Sequence, residues 1–193
     1  MIFELAHTPY AAGYADSVLP LADAKAHLRV TGDSEDDLIE ALTLASIEFV
    51  EKFCGLRLVE TAGLVWRAES LPFRACDRVA LGVYPVSSIE SIAWADSAGD
   101  AVTGVVADFR IGAHGTLLPA VGETWPSDVG GAVEISFTAG FPDGEVPSGL
   151  ISAVKLFLGH LYMNREAVVN TGASGEVPLG VRTLCGPYRM PRI

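Results

Sequence analysis

Within residues 147–164, apolar side chains at Leu150, Val154, Phe157, Leu158 and Leu161 keep the spacing of one helical face. Ile151, Leu156, Tyr162 and Met163 make much of the remaining circumference apolar, and Ser152, Lys155 and His160 interrupt it. A helix apolar nearly all round is expected to be buried on several sides. Two earlier stretches share the helical period. Leu21, Ala24 and Leu28 fall on one face of a short helix over 21–28. Asp33 or Ser34 is placed to cap a longer helix over 35–53, with Glu35, Asp36 and Asp37 in its first turn, where the helix dipole favours negative charge. Leu38, Leu42, Ala45, Phe49 and Phe53 mark its expected buried stripe, and Gly55 is its stop.

Between these helices the period changes to two. Val133, Ile135 and Phe137 alternate with Glu134, Ser136 and Thr138, the cleanest half-buried strand of the chain. Strands are also expected over 59–68, 78–81, 88–95, 102–106, 109–111 and 115–118, with Asp96–Asp100 as a turn. Residues 166–193 follow neither period. Glycines at 172, 175, 180 and 186 and prolines at 178, 187 and 191 break them, yet Val181, Leu184, Tyr188, Met190 and Ile193 are apolar. Such a tail is expected to order on a partner rather than to fold alone.

The order of elements predicts an α+β fold: a small core of three main helices, an inserted antiparallel β subdomain, and an extended C-terminal arm. The expected divisions are an N-terminal extension (1–16), the first part of the helical core (17–57), the β subdomain (58–146), the last core helix (147–165) and the arm (166–193).

Composition narrows the function. The net charge of −11 argues against tight binding to nucleic-acid phosphates, which needs clustered Lys and Arg. It suits solubility, or an acidic lining past which DNA slides without sticking. Cys54, Cys76 and Cys185 form no CxxC pair, so neither a zinc site nor a redox dithiol is signalled, and a reducing cytoplasm fits them. The first residues do not read as a signal peptide, and no apolar run reaches the roughly 18 residues of a membrane span.

Candidate chemistry is sparse. His7, His27, His114 and His160 lack a second histidine at helical spacing, and no serine sits in a GxSxG turn. The acidic run at 33–37 lacks the glycine and distal glutamate of a calcium loop. No glycine-rich phosphate cradle is present. The expectation is no catalytic, cofactor-binding or metal-binding residue. Trp125, beside Pro126, is either packing for the β block or an interface anchor. Asn164-Arg165-Glu166 either ends the helix or salt-bridges a neighbouring subunit.

The stretch from Leu21 to Val30, the acidic turn and Leu38–Leu42 are similar to the start of head–tail connector (adaptor) proteins of long-tailed phages and of phage-derived gene transfer agents. Tyr84–Ile89, Gly122–Pro126 and Val133–Phe141 resemble the β insertion of that family. Val146-Pro147, His160–Glu166, Pro178–Val181 and Pro187–Arg189 resemble its last helix and arm. The resemblance covers nearly all of the chain from Leu19. It implies a structural, non-enzymatic adaptor: a homo-oligomeric ring of about twelve copies beneath the capsid portal. The ring would extend the DNA channel without binding DNA specifically and offer a platform to the next tail component, a stopper or tail terminator. Its place is the head–tail joint of the particle, with assembly in the bacterial cytoplasm and no membrane. Portal docking is then expected of Arg182, Leu184, Pro187, Tyr188, Arg189, Met190, Arg192 and Ile193. Ring contact is expected of Leu150, Val154, Phe157, Leu158, Leu161 and Arg165. The readings from other classes are a small-ligand-binding module in the β block and an enzyme with an unrecognised site.

Overall fold

The alternating stretch around Ile135 forms the central strand of the larger of two antiparallel sheets. The computed structural model describes residues 3–72, 74, 76–164 and 178–189. Among them the strands are β1 (Phe3–Leu5), β2 (Thr61–Ala68), β3 (Val79–Ala80), β4 (Val86–Ala95), β5 (Ala101–Thr103), β6 (Phe109–Gly112), β7 (Thr116–Pro119) and β8 (Gly131–Ala139). The helices are α1 (Tyr14–Val18), α2 (Leu21–Leu28), α3 (Asp36–Cys54), α4 (Ser148–Met163) and α5 (Leu179–Cys185). The chain divides into a β unit, Met1–Pro9 with Glu60–Phe141, and a helical unit, Tyr10–Val59 with Pro142–Ile193.

In the β unit the strand order is β1-β2-β8-β4-β5, with a second sheet β3-β7-β6, and every pairing is antiparallel. On β8, Ile135 lies opposite Trp66 on one side and Ile92 on the other, and Phe137 lies opposite Leu64 and Ile89. Val133, Ile135 and Phe137 are buried, while Glu134 faces out and meets Arg67 at 2.9 Å. That exposed ion pair contributes little to stability. The core is Leu64, Trp66, Ile92, Leu117, Trp125 and their neighbours. The two indoles are buried with their N–H groups satisfied: Trp66 donates to the carbonyl of Ala80 and Trp125 to that of Asp77. Trp125 therefore packs within its own β unit. Gly115 (φ 66°) has no room for a side chain, because a Cβ would lie 2.3 Å from the Val83 carbonyl oxygen.

In the helical unit α3 is stopped as expected by Gly55, whose φ of 73° suits a residue without Cβ. Its start differs from the expectation. Neither Asp33 nor Ser34 caps it through a side chain. Asp33 instead joins Asp36 in holding Lys25, each at 2.7 Å. The buried face of α3 also differs. It is Ile39, Thr43, Ser46, Ile47, Val50, Glu51 and Cys54, one residue on from the expected stripe. Thr43 and Ser46 tolerate burial because their hydroxyls donate to the carbonyls of Ile39 and Leu42, each at 2.7 Å. On α4, Leu150, Ala153, Val154 and Leu158 are buried, whereas Leu156 and Met163 are exposed. The α+β class stands.

Two segments depart from the sequence reading. Residues 3–5, within the expected extension, add a strand to β2, and Phe3 stacks on Trp66 with centroids 5.8 Å apart. Within the expected irregular arm, Leu179–Cys185 is helical, with Val181 and Cys185 fully buried. The helical core is thus four helices of seven or more residues, with α5 packed on α4 and α3.

Candidate docking surfaces

The residues expected at a ring contact separate by burial. Leu150, Val154 and Leu158 are fully buried inside the helical unit, so they pack within one subunit. Phe157 and Leu161 are half-buried and do offer surface. Phe157 stacks on Phe49 of α3 (4.1 Å between centroids), and Phe49 on Phe53 (5.7 Å). His160 is exposed at the edge of this stack. Arg165 lies outside the described residues. Asn164 closes α4, with its backbone and side-chain N–H groups both donating to the His160 carbonyl, as a helix terminus requires.

Of the residues expected at the portal, Arg182 and Pro187 are exposed and Leu184 is half-buried. Tyr188 is half-buried, and its ring lies 3.4 Å from where a Cβ of Gly149 on α4 would stand. The guanidinium of Arg189 sits 4.6 Å from the centre of the Phe53 ring. Met190, Arg192 and Ile193 lie outside the described residues. The backbone that carries the described members is anchored by Val181 and Cys185, and Cys54 at the end of α3 contacts the Cys185 carbonyl. Cys54 is a buried packing residue.

One polar cluster escaped the sequence reading. Glu51, 3 % exposed on α3, accepts hydrogen bonds from the hydroxyls of Tyr10 (2.8 Å) and Tyr14, the guanidinium of Arg57 (3.0 Å) and the backbone N–H of Leu58 (2.7 Å). Arg57 also lies over the Tyr10 ring. The cluster ties residues 10–14 to the end of α3. Its available signal was the pair of tyrosines four apart in an apparently featureless N-terminus. Burial, then the Glu51 charge, pushes both phenols well above the usual tyrosine range. Because the folded state favours the neutral phenols, the stability they contribute is full below the unfolded value of about 10 and is lost as pH rises beyond it. Thermal melts are expected to be insensitive to tyrosine ionisation up to about pH 10 and to fall steeply above it. A Tyr10→Phe, Tyr14→Phe protein should lose most of that slope; an unchanged slope would place its origin elsewhere.

Among the described residues no group of three His, Cys, Asp or Glu is arranged to hold a metal, and no helix is long and apolar enough to cross a membrane. What the geometry offers is surface for docking.

Part of the chain matches a known family model, and solved structures share its fold. Residues 19–84 match the model of a family described as phage gp6-like head-tail connector protein, which is a family of structural connectors rather than enzymes. The fold as a whole is similar to a chain in the neck of an empty GTA particle computed with C6 symmetry. There the TM-score is 0.72 and the identity 28%, over 100% of this chain and 97% of that one. A chain in the virion of a native gene transfer agent (GTA) particle gives 0.71 and 27%, over 100% and 97%. One in the neck of a native GTA particle computed with C12 symmetry gives 0.71 and 26%, over 98% and 97%. No curated protein matches the chain. The resemblance to head–tail connectors read from the sequence is borne out.

Proposed function

We propose that the protein is the structural adaptor of a head–tail joint: a closed ring, twelve copies in a neck of twelvefold symmetry, docked beneath the portal. The ring continues the DNA channel and presents its far side to a stopper or tail terminator. The observation that carries this reading is the full-length similarity to a chain of particle necks computed with C6 and C12 symmetry. The net charge of −11 supports a channel through which DNA passes without being held. The described part of the C-terminal segment supports a docking role by presenting Arg182 outward from an anchored helix and Pro187 from the turn that follows it. Met190, Arg192 and Ile193, beyond Arg189, extend that docking segment. The protein has no catalytic task in this role, and it works at the head–tail joint of a phage or gene-transfer-agent particle assembled in the cytoplasm.

Deleting the gene in the producing cell tests the role. The expected product is DNA-filled or leaking heads without tails by electron microscopy, with separate free tails, and tailed particles on complementation. Normal tailed particles from the deletion strain would refute it. The complemented joint, imaged directly, is expected to contain a ring of about twelve copies of the 20.3 kDa chain.

A further inference from the structure

Helix α3 carries two apolar stripes, and among the described residues only one of them is fully buried. The stripe that is buried includes Thr43, Ser46 and Glu51. The more apolar stripe, ending in Ala45, Phe49 and Phe53, joins Phe157 and Leu161 of α4 in lining a shallow surface open to solvent. Phe49, Phe53, Phe157 and Leu161 are each half-buried, so part of every side chain remains available to a partner. Its charged fringe is mainly basic: Lys52, whose side chain is 73% exposed, and Arg189 over Phe53. Glu48 is the acidic exception. It meets Lys52 in an exposed pair one turn apart, an interaction weak enough to be exchanged.

The same helical unit has a second surface of the opposite character. A groove of about 600 Å³ runs between residues 10–21 and the first half of α3. Its lining includes Ala11, Ala12, Ala41 and Leu44 beside Tyr10 and Tyr14, and its charged residues are Asp16, Asp37 and Glu40, without a cation. All three carboxylates belong to exposed residues.

We infer that these are the two halves of the subunit contact: the aromatic patch of one copy packs against the acidic, alanine-lined groove of the next, with Lys52 facing Asp37 and Glu40. The inference rests on the ring proposed above and specifies its faces. A closed ring needs two different surfaces on every copy, one for each neighbour. Neither surface suits itself. Patch on patch brings Lys52 and Arg189 of two copies together with only Glu48 to offset them, and groove on groove opposes two sets of carboxylates. Patch on groove covers the aromatic rings and pairs the charges. The complementarity therefore selects a head-to-tail contact over a two-fold dimer.

Cross-linking in the assembled ring tests the assignment. In a Cys76→Ser background, which removes the exposed cysteine, Lys52→Cys and Glu40→Cys are made singly and together, and rings are treated with a short bis-maleimide. The double variant is expected to give a ladder extending to the full ring, an equal mixture of the two single variants dimers and no ladder, and each single variant alone only monomer. Dimers from Lys52→Cys alone would overturn the assignment by showing patch against patch. So would the absence of cross-links in rings of normal size by imaging, and the ring reading would survive that result. Failure to find any ring at the joint would overturn both.

Discussion

Replacing Leu158 with aspartate is expected to unfold the helical unit. Leu158 is fully buried on the face of α4 that also carries Leu150 and Val154. The change removes a packed side chain, a loss of about 2–5 kcal/mol. It also places a carboxylate where water cannot reach it, a cost of several kcal/mol unless the group takes up a proton. The sum approaches the roughly 5–15 kcal/mol that holds a typical domain together. Circular dichroism should show lost helix at 25 °C, or a fall in melting temperature of at least about 10 °C. Met163→Asp, on the same helix at a residue 79% exposed, is the matched control and should stay within about 0.5 kcal/mol of the parent. Equal behaviour of the two variants would show that α4 is not buried along the Leu158 face.

That contrast marks what the sequence could and could not say. The boundaries of α2, α3 and α4 and the alternation of β8 were legible because each is long enough for its period to stand out from local noise. The face of α3 was not. Counting apolar residues puts Leu38, Leu42, Ala45, Phe49 and Phe53 inward, whereas Thr43 and Ser46 are the buried ones, made tolerable by hydrogen bonds to their own helix. A pattern count treats such hydroxyls as polar and rotates the helix by one position. The misreading is informative, because a stripe that reads as core yet remains half open is what a subunit contact looks like before its neighbour arrives.

The docking surfaces were legible only in part for a related reason. Phe157 and Leu161 were named together with Leu150, Val154 and Leu158 because one period generates all five. Nothing in a single helix tells which members meet the chain's own core and which meet another copy. The Glu51 cluster was missed because Tyr10 and Tyr14 lie 41 and 37 positions before Glu51 and meet it only in the fold. Strand β1 is three residues long and depends on β2 as a template. Short elements of this kind follow from tertiary context rather than from local propensity.

Ending the chain at residue 177 is expected to destabilise the helical unit as well as to prevent docking. From the sequence the whole arm reads as a segment that needs a partner to order. In the fold, α5 buries Val181 and Cys185 completely against the helical core, and its removal would uncover the parts of α3 and α4 on which it packs. Complete burial of a Val-sized side chain contributes about 1.5–3 kcal/mol, so losing two buried residues should cost about 3–6 kcal/mol. The shortened protein should melt several degrees lower and bind more of a hydrophobic dye. Truncation alone therefore cannot separate docking from folding, and a surface change is needed beside it. Arg182 is exposed on α5, so Arg182→Glu should leave the melting temperature within about 2 °C while reversing the charge offered to the partner. Under the proposed role, Arg182→Glu particles should assemble heads and tails that fail to join. A truncated protein as stable as the full chain would remove α5 from the core. Normally joined particles carrying Arg182→Glu would remove Arg182 from the docking surface, and the two results are independent of each other.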